Sequence, residues 1–319
     1  MGSLPSKISG SRAAAILGFN KFKTPVQVWL DIMEELEPGF SEDRGYKWEP
    51  FEGNAATRLG NDFEDAIILH LENKSMTAII SREMGFIHNE HSFITCHVDG
   101  TNLHSNGVDY LYEGKTTNGY TYRDEWGEPG TDRIPQEYQI QIQHNMKLVG
   151  SASALVTVLV FPQRQEALED LLTEKISVDQ SYRWVKTLDE MGYFHKYQID
   201  ARPSLQDKII QAEVDFWHNH VLTRIPPKPQ NYEDIRALVI EPKGTILADE
   251  TTERLATEYK DITKEMSTGN KRRAQLKTMI LNYMRDKAET PIDDDSVEKW
   301  VLRNGEGKKL CTFDGKTYR

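Results

Sequence analysis

The chain has 319 residues, of which 38% are hydrophobic and 28% charged, and its formal net charge at pH 7 is −11. This composition is typical of a globular protein with one large core, or one domain with an appendage, and excludes a membrane span. Only two cysteines occur, Cys96 and Cys311, which excludes a disulfide framework and a four-cysteine zinc or iron–sulfur site. The acidic balance means that any contact with phosphate depends on local basic residues or bound cations.

The first third of the chain has the pattern of helices followed by strands. The expected order is a helix through RAAAILG with Ser11 as its N-cap, a helix through PVQVWLDIMEEL that a capping box at Thr24 opens, a loop over 37–53, and a helix over about 54–73. Three strands follow, predicted as an antiparallel succession: TAIISREMGFIH, SFITCHVD and GVDYLYEGKTT.

The middle of the chain returns to helix after Pro135, through EYQIQIQHNMKLVG. The continuous apolar run ALVTVLVF predicts a buried central strand. Residues 163–192 have the pattern of a helical insertion, GYFHKYQID that of a strand, and QDKIIQAEVDFWHNHVL that of a helix. We therefore expect an α/β domain over residues 1–240, with a central mixed sheet of about five strands flanked by helices.

Residues 241–319 have a different sequence pattern, which predicts a separate C-terminal unit. Apolar residues recur at heptad-like spacing on either side of the segment STGN: Leu255, Tyr259, Ile262 and Met266 before it, and Leu276, Ile280 and Tyr283 after it. If STGN turns the chain, these stripes pack against each other as a helical hairpin. The segments VEKWVLR and KKLCTFD, separated by NGEG, predict a small strand pair.

Four residues form the candidate catalytic constellation. Glu64 lies near the middle of the third helix among small and apolar stripe partners, where a carboxylate needs a partner. Asp99 and Glu113 lie on neighbouring predicted strands, and three carboxylates are the oxygen set that Mg²⁺ or Mn²⁺ prefers. Lys115 projects on the same face as Glu113 and suits a role in activating water or stabilising negative charge on phosphorus. Taken singly, Asp99 equally fits a turn, and Glu113 with Lys115 fits a solvated strand edge.

Five blocks in the same order resemble the YqaJ-type viral recombinases, relatives of phage lambda exonuclease in the PD-(D/E)xK nuclease superfamily. The blocks are ISGSRAAAILGFNKFKTPVQVW, GNDFEDAIILHLEN, ITCHVDG, YLYEGKTT and PQEYQIQIQHNMKLVG, all within residues 8–150. The resemblance implies a PD-(D/E)xK nuclease core for the α/β domain.

The resemblance also implies roles for individual residues. Glu64, Asp99 and Glu113 would hold one or two metal ions with the carbonyl of Gly114, and Lys115 would be the catalytic lysine. Gln141 would line the site. Ser11 resembles the position that contacts a DNA phosphate, with Arg12 or Lys7 in place of an upstream arginine that has no clear counterpart here. Gly114 departs from the pattern of the superfamily, in which an apolar residue usually stands between the glutamate and the lysine.

The function expected from the resemblance is metal-dependent hydrolysis of DNA phosphodiesters, as a 5′→3′ exonuclease acting on duplex ends. Resection would prepare a strand for a single-strand annealing protein, and a homo-oligomer, a trimer by resemblance, is implied. Two alternatives remain open: an endonuclease of the same superfamily, and a non-catalytic protein that binds DNA ends. The absence of a signal segment at the N-terminus predicts a cytoplasmic location in a bacterial or phage-infected cell, without a membrane partner.

Overall fold

The computed structural model describes residues 8–75, 81–104, 107–162, 176–238, 249–287, 300–303, 306 and 308–313. Their contacts divide the chain into two units, residues 1–242 and residues 243–319. Each unit is described by itself below.

The first unit is built on a five-stranded sheet. Its strands are β1 (Ser81–Ile87), β2 (Thr95–His104), β3 (Gly107–Asn118), β4 (Ser153–Phe161) and β5 (Phe194–Asp200), and they neighbour one another in that order. Only the β3–β4 pairing is parallel. The predicted mixed sheet is therefore confirmed, and β4 is a largely buried interior strand, as its unbroken apolar run requires.

Nine helices are described in the first unit. They are α1 (Gly10–Ile16), α2 (Pro25–Leu36), α3 (Phe40–Asp43), α4 (Ala55–Ser75), α5 (Gly119–Glu125), α6 (Gln136–Val149), α7 (Val178–Glu190), α8 (Pro203–Phe216), which continues as a π-helical turn over Trp217–Val221, and α9 (Tyr232–Leu238). Helices α4 and α7 cover one face of the sheet, around Tyr112 and Phe161. Helix α6 covers the other face, around Leu111 and Val156.

Helix boundaries confirm some of the capping signals and correct one. The capping box at Thr24 is present, because its side chain accepts from the backbone N–H of Gln27 and the Gln27 side chain accepts from the N–H of Thr24. The prediction of Ser11 as N-cap is wrong: α1 begins at Gly10, and Ser9 is its N-cap, without a side-chain capping bond. The predicted loop over 37–53 contains the short helix α3.

The insertion predicted over residues 163–192 contains helix α7, which a second capping box at Ser177 opens. Residues 163–175 of that segment lie outside the described residues.

The second unit contains helix α10 (Glu250–Lys287) and the antiparallel strands β6 (Trp300–Arg303) and β7 (Lys309–Phe313). The predicted strand pair is present. The predicted helical hairpin is wrong, because α10 runs without a break through STGN for 38 residues. One glycine costs an exposed helix only about 1 kcal/mol, and the good helix formers on both sides outweigh it.

Candidate active site

Strand β3 carries the centre of the site. Leu111, Glu113 and Lys115 alternate with Tyr112 and Gly114, so their side chains face helix α6, whereas the Tyr112 side chain faces α4. Lys115 Nζ donates to Glu113 Oε1 at 2.6 Å. The Glu113 side chain is 2% exposed and that of Lys115 is 15% exposed. The alternative of a solvated strand edge therefore does not apply, because the pair is buried.

The site opens where β2 and β3 separate. The pairing of β2 with β3 ends at Gly100 and Tyr112. Beyond that pair, the backbone N–H of Gly114 on β3 donates to the side chain of Asp99, the preceding residue of β2. Asp99 Oδ2 accepts from the backbone N–H of Gly114 at 2.8 Å. This bond fixes Asp99 beside the Glu113–Lys115 segment, although Asp99 is 14 residues distant along the chain. Asp99 therefore has a specific partner in Gly114, which a turn aspartate alone would not explain.

Helix α4 carries Glu64 past the same segment of β3. A Cβ atom at Gly60 would lie 3.9 Å from Thr116 Oγ1, and one at Gly114 would lie 3.8 Å from Ile67 Cγ2. Glu64 lies one turn from both Gly60 and Ile67, so the half-buried Glu64 carboxylate lies over this part of the strand. Its charge acts on Glu113, whose pKa it raises.

Helix α6 closes the site on the other face. Gln141 Nε2 donates to Glu113 Oε1 at 2.8 Å. Asn145, one turn later, places Nδ2 3.5 Å from Glu113 Oε2, which is the limit of a hydrogen bond. The Tyr138 ring lies 5.2 Å from Lys115 Nζ and flanks the ammonium. Of the three alternating glutamines only Gln141 reaches Glu113, because Gln139 and Gln143 bond to the backbone carbonyls of Asp132 and Asp200.

The ionisable groups of the site act on one another. Burial, together with repulsion from Asp99 and Glu64, raises the pKa of Glu113 to about 7, although Lys115 opposes this shift. Burial by itself lowers the pKa of Lys115, but attraction to Glu113 and Asp99 outweighs burial and raises it above its ordinary value. Lys115 is therefore an ammonium at neutral pH, and any additional positive charge near Glu113 favours its ionised form.

The side chains of the site have the donor atoms that a hard divalent cation requires. Glu64, Asp99 and Glu113 offer carboxylate oxygens only, which matches such a cation in chemistry. In the described part of the chain, however, no three Asp, Glu, His or Cys side chains converge as a ready metal cluster. Two donors already occupy Glu113 Oε1, whereas among the described residues Oε2 has the long contact to Asn145 alone. The residues fit the cation by chemistry and by the raised pKa of Glu113, with Oε2 as the available oxygen.

The predicted phosphate-binding residues lie at the start of α1, next to this site. Gly10 packs so closely on α6 that a Cβ atom there would come within 2.3 Å of Asn145 Oδ1. Ser11 is exposed and shares a hydrogen bond with Ser9, 2.9 Å between the two hydroxyl oxygens. The Arg12 guanidinium is held in a bidentate ion pair by Glu35 of α2. Lys7 lies outside the described residues.

Sequence reasoning missed three residues that contact the constellation. Tyr138 and Asn145 lie three and four residues from Gln141, which is the helical spacing that places them on the same face. Tyr112 lies two residues before Gly114, and its hydroxyl shares a 2.7 Å hydrogen bond with Thr157. A Cβ at position 114 would lie 3.1 Å from this hydroxyl oxygen, a close approach that favours glycine at this position.

Comparison with known protein families supports the resemblance found in the sequence. Residues 5–152 match the model of the YqaJ-like viral recombinase domain. The chain is also 26% identical over 215 residues to the uncharacterized protein YqaJ of Bacillus subtilis (strain 168). That match covers 67% of this chain and 53% of the relative, so the chain spans about half the length of the curated relative. The YqaJ-type resemblance is confirmed for the part of the chain that carries all five candidate side chains of the site.

Solved structures with a similar course of the chain include two exonucleases. An alkaline exonuclease from Laribacter hongkongensis matches with a TM-score of 0.46 and 15% identity, over 69% of this chain and 89% of that one. A phage related exonuclease from Haemophilus somnus 129PT matches with a TM-score of 0.41 and 18% identity, over 69% of this chain and 97% of that one. Because neither TM-score reaches 0.5, neither likeness bears on the function of this chain.

The described helices were also compared with the requirements of a membrane span. None of them combines the length and the apolar character that crossing a bilayer requires.

Proposed function

We propose that the chain is a deoxyribonuclease that hydrolyses phosphodiester bonds at the Glu113–Lys115 site. The observation that carries this proposal is the buried pair itself: Lys115 Nζ lies 2.6 Å from Glu113 Oε1, with Asp99 fixed on the intervening residue, Gly114. A structural ion pair has no need of a second and a third carboxylate beside it, because they raise the cost of burying Glu113. The YqaJ-like domain match over the same residues supports the assignment.

The reaction we propose depends on Mg²⁺, with Mn²⁺ as a substitute, one or two ions being held by Glu64, Asp99, Glu113 and the carbonyl of Gly114. Such an ion, when bound, polarises the phosphate and lowers the pKa of a bound water. Support comes from the all-oxygen donor set and from the raised pKa of Glu113, which a cation would lower again.

The roles of the chain's own residues follow from their contacts. Lys115 is a protonated ammonium, so it stabilises negative charge that develops on the phosphate and can hold a water by donating to it. Gln141 orients the Glu113 carboxylate through Oε1 and leaves Oε2 toward Asn145. The ring of Tyr138 shields one side of the Lys115 ammonium from water, which strengthens its field at the site.

In its finer form the proposal is a 5′→3′ exonuclease of duplex DNA that resects ends for a single-strand annealing protein, working as a homo-oligomer. Ser11, at the start of α1, would contact the terminal phosphate, with Arg12 or Lys7 as the basic group. Arg12 already has a bidentate partner in Glu35, so the phosphate must compete with a carboxylate for it. We therefore expect a weak preference for a 5′-phosphate over a 5′-hydroxyl.

The test is a cleavage assay on matched DNA substrates with Mg²⁺. Linear duplex labelled at the 5′ or the 3′ terminus is compared with nicked and supercoiled circles, with Lys115→Met as the catalytically impaired control and EDTA as the metal-free control. We expect release of the 5′ label first, intact supercoiled circles, and no product in EDTA.

Each other outcome changes a specific part of the proposal. Linearisation of the supercoiled circle indicates an endonuclease, and release of the 3′ label first reverses the polarity. Cleavage that persists in EDTA contradicts the metal site. Binding of duplex ends without cleavage under any metal indicates a non-catalytic end-binding protein.

A further inference from the structure

Helix α10 exposes a long apolar stripe. Leu255, Tyr259, Ile262 and Met266 lie in its first half, with Tyr259 73% and Met266 64% exposed, and Leu276 continues the stripe in its second half. None of the hydrophobic clusters formed by the described residues includes these side chains. A helix with such a stripe gains stability when the stripe is covered.

The spacing of the stripe specifies how it can be covered. Successive positions 255, 259, 262, 266, 269, 273, 276 and 280 are separated by four and three residues in strict alternation. This 3.5-residue period is the a/d seam of a left-handed coiled coil, in which a second helix lies along the whole stripe. Only Gly269 and Arg273, near the middle, depart from apolar character.

The charges of the helix differ between its two halves. By sequence, residues 250–268 carry five acidic and three basic side chains, whereas residues 269–287 carry six basic and one acidic. Two such helices attract each other when they run antiparallel, because each acidic half then lies against a basic half. In the parallel arrangement, basic half faces basic half.

We propose that α10 forms an antiparallel coiled coil with α10 of a second copy of this chain. In the register centred on residues 266 to 269, Met266 of each copy packs over Gly269 of the other, Tyr259 packs with Leu276, and Leu255 packs with Ile280. The small Gly269 makes room for the long Met266 side chain at the centre of the seam.

The residues that flank the seam support this orientation. Glu265 and Arg272 both occupy the g position, one residue before an a position. In antiparallel coiled coils g faces g, so Glu265 of each copy lies opposite Arg272 of the other, which gives two ion pairs per dimer. In a parallel dimer Glu265 would face the uncharged Asn270, and Arg272 would face Lys277 with like charge.

Because of this difference, one charge reversal has opposite effects on the two orientations of the dimer. Arg272→Glu in the full-length chain replaces two attractions by two repulsions in the antiparallel dimer, whereas in a parallel dimer it creates an attraction to Lys277. The double variant Glu265→Arg/Arg272→Glu restores both antiparallel pairs. Lys271→Glu is the matched control, since it makes the same charge change one residue away on the outer f position.

Sedimentation velocity over a range of protein concentrations measures self-association of the four proteins. We expect Arg272→Glu to raise the dissociation constant of the α10 contact by roughly tenfold, which is about 1.4 kcal/mol. Lys271→Glu should leave this constant unchanged within about threefold, and the double variant should return it to the wild-type value. Any association through the other unit is common to all four proteins and does not enter the comparison.

Four outcomes overturn the proposal. Tighter association of Arg272→Glu indicates a parallel dimer. Equal weakening by Arg272→Glu and Lys271→Glu indicates a general charge effect without a defined seam. Association that none of the variants changes, or a monomer at every concentration, means that a second copy does not cover the stripe. The test does not involve DNA cleavage and is therefore independent of the proposed nuclease function.

Discussion

Two pairs of buried ionisable side chains contact or belong to helix α6, and they differ in how completely they are buried. In the first, Lys115 binds Glu113, and Lys115 retains 15% of its exposure. In the second, His144 Nδ1 lies 2.8 Å from Glu213 Oε1, and both side chains are fully buried. Two further carboxylates, those of Asp99 and Glu64, raise the pKa of Glu113 by repulsion. Among the described residues, His144 is the one charged group that shifts the pKa of Glu213.

This difference indicates that the His144–Glu213 pair stabilises the fold, whereas the Glu113–Lys115 pair belongs to the candidate site. His144 Nε2 lies 3.0 Å from the carbonyl oxygen of Thr95, so that nitrogen must carry a proton, and the remaining proton is shared between Nδ1 and Glu213. This pair joins α6, β2 and α8 and uses both ring nitrogens. The Glu113–Lys115 pair keeps a carboxylate oxygen and an ammonium near the opening between β2 and β3. Variants of the two pairs should therefore fail in different ways.

The largest expected effect is on stability, from His144→Ala. Removing the imidazole leaves Glu213 buried without its partner and the carbonyl of Thr95 without a donor, which should cost about 3–5 kcal/mol of unfolding free energy. Urea unfolding followed by circular dichroism measures the loss. At a temperature where the variant is folded, its DNA cleavage rate should stay within about tenfold of wild type. A loss of cleavage without a loss of stability would place His144 in the reaction instead.

Lys115→Met is expected to show the opposite pattern. The cleavage rate should fall by about a hundredfold or more, equivalent to about 2.7 kcal/mol, because the positive charge that stabilises the phosphate is lost. Stability should change less than in His144→Ala, since Glu113 with its pKa of about 7 can take up a proton when the ammonium is absent. Lys147→Met is the matched control: it lies on α6, and its ion pair with Asp207 is on the surface. Near wild-type cleavage by Lys115→Met would contradict the catalytic assignment.

The Glu113–Lys115 site could be predicted from the sequence, but the His144–Glu213 pair could not. Glu113, Lys115, Asp99 and Gln141 lie in short local patterns, and the structure brings them together. The His144–Glu213 pair joins residues 69 positions apart, and nothing local in QHNM or AEVDF distinguishes a buried pair from surface residues. The turn predicted at STGN is absent, and α10 is continuous there. In this case the prediction gave local turn residues too much weight and the helix-forming residues on both sides too little.

The pH dependence of stability should also distinguish the pairs. Burial by itself lowers the pKa of His144, but Glu213 and the carbonyl of Thr95 outweigh it and raise the pKa above its ordinary value of 6.5, and burial raises the pKa of Glu213. The folded pair therefore keeps a proton that the unfolded chain releases above pH 6.5. This contribution is complete below pH 6.5 and is lost as the pH rises toward the folded pKa, by at most about 1.4 kcal/mol per pH unit.

The measurement is urea unfolding of wild type and Glu213→Gln at pH 6, 7 and 8. Glutamine can still bond to His144 but cannot release the shared proton, so the stability difference between the two proteins isolates the titration of this pair. We expect the advantage of wild type to shrink from pH 6 to pH 8. A constant or growing difference would show that the folded pair does not retain the proton.

The smallest expected effect tests why glycine stands between Glu113 and Lys115. A Cβ at position 114 would lie 3.1 Å from the Tyr112 hydroxyl oxygen, and that hydroxyl is held by Thr157, so Gly114→Ala should cost about 1 kcal/mol of stability. Tyr112→Phe removes the crowding oxygen and leaves Thr157 without its partner, at a similar cost. If the hydroxyl causes the crowding, the double variant should be more stable than the sum of the two losses predicts, by about 0.5–1 kcal/mol in a double-mutant cycle. Strict additivity would mean that the glycine is needed for another reason, such as the approach of Asp99, whose Oδ2 lies 3.8 Å from the same Cβ position.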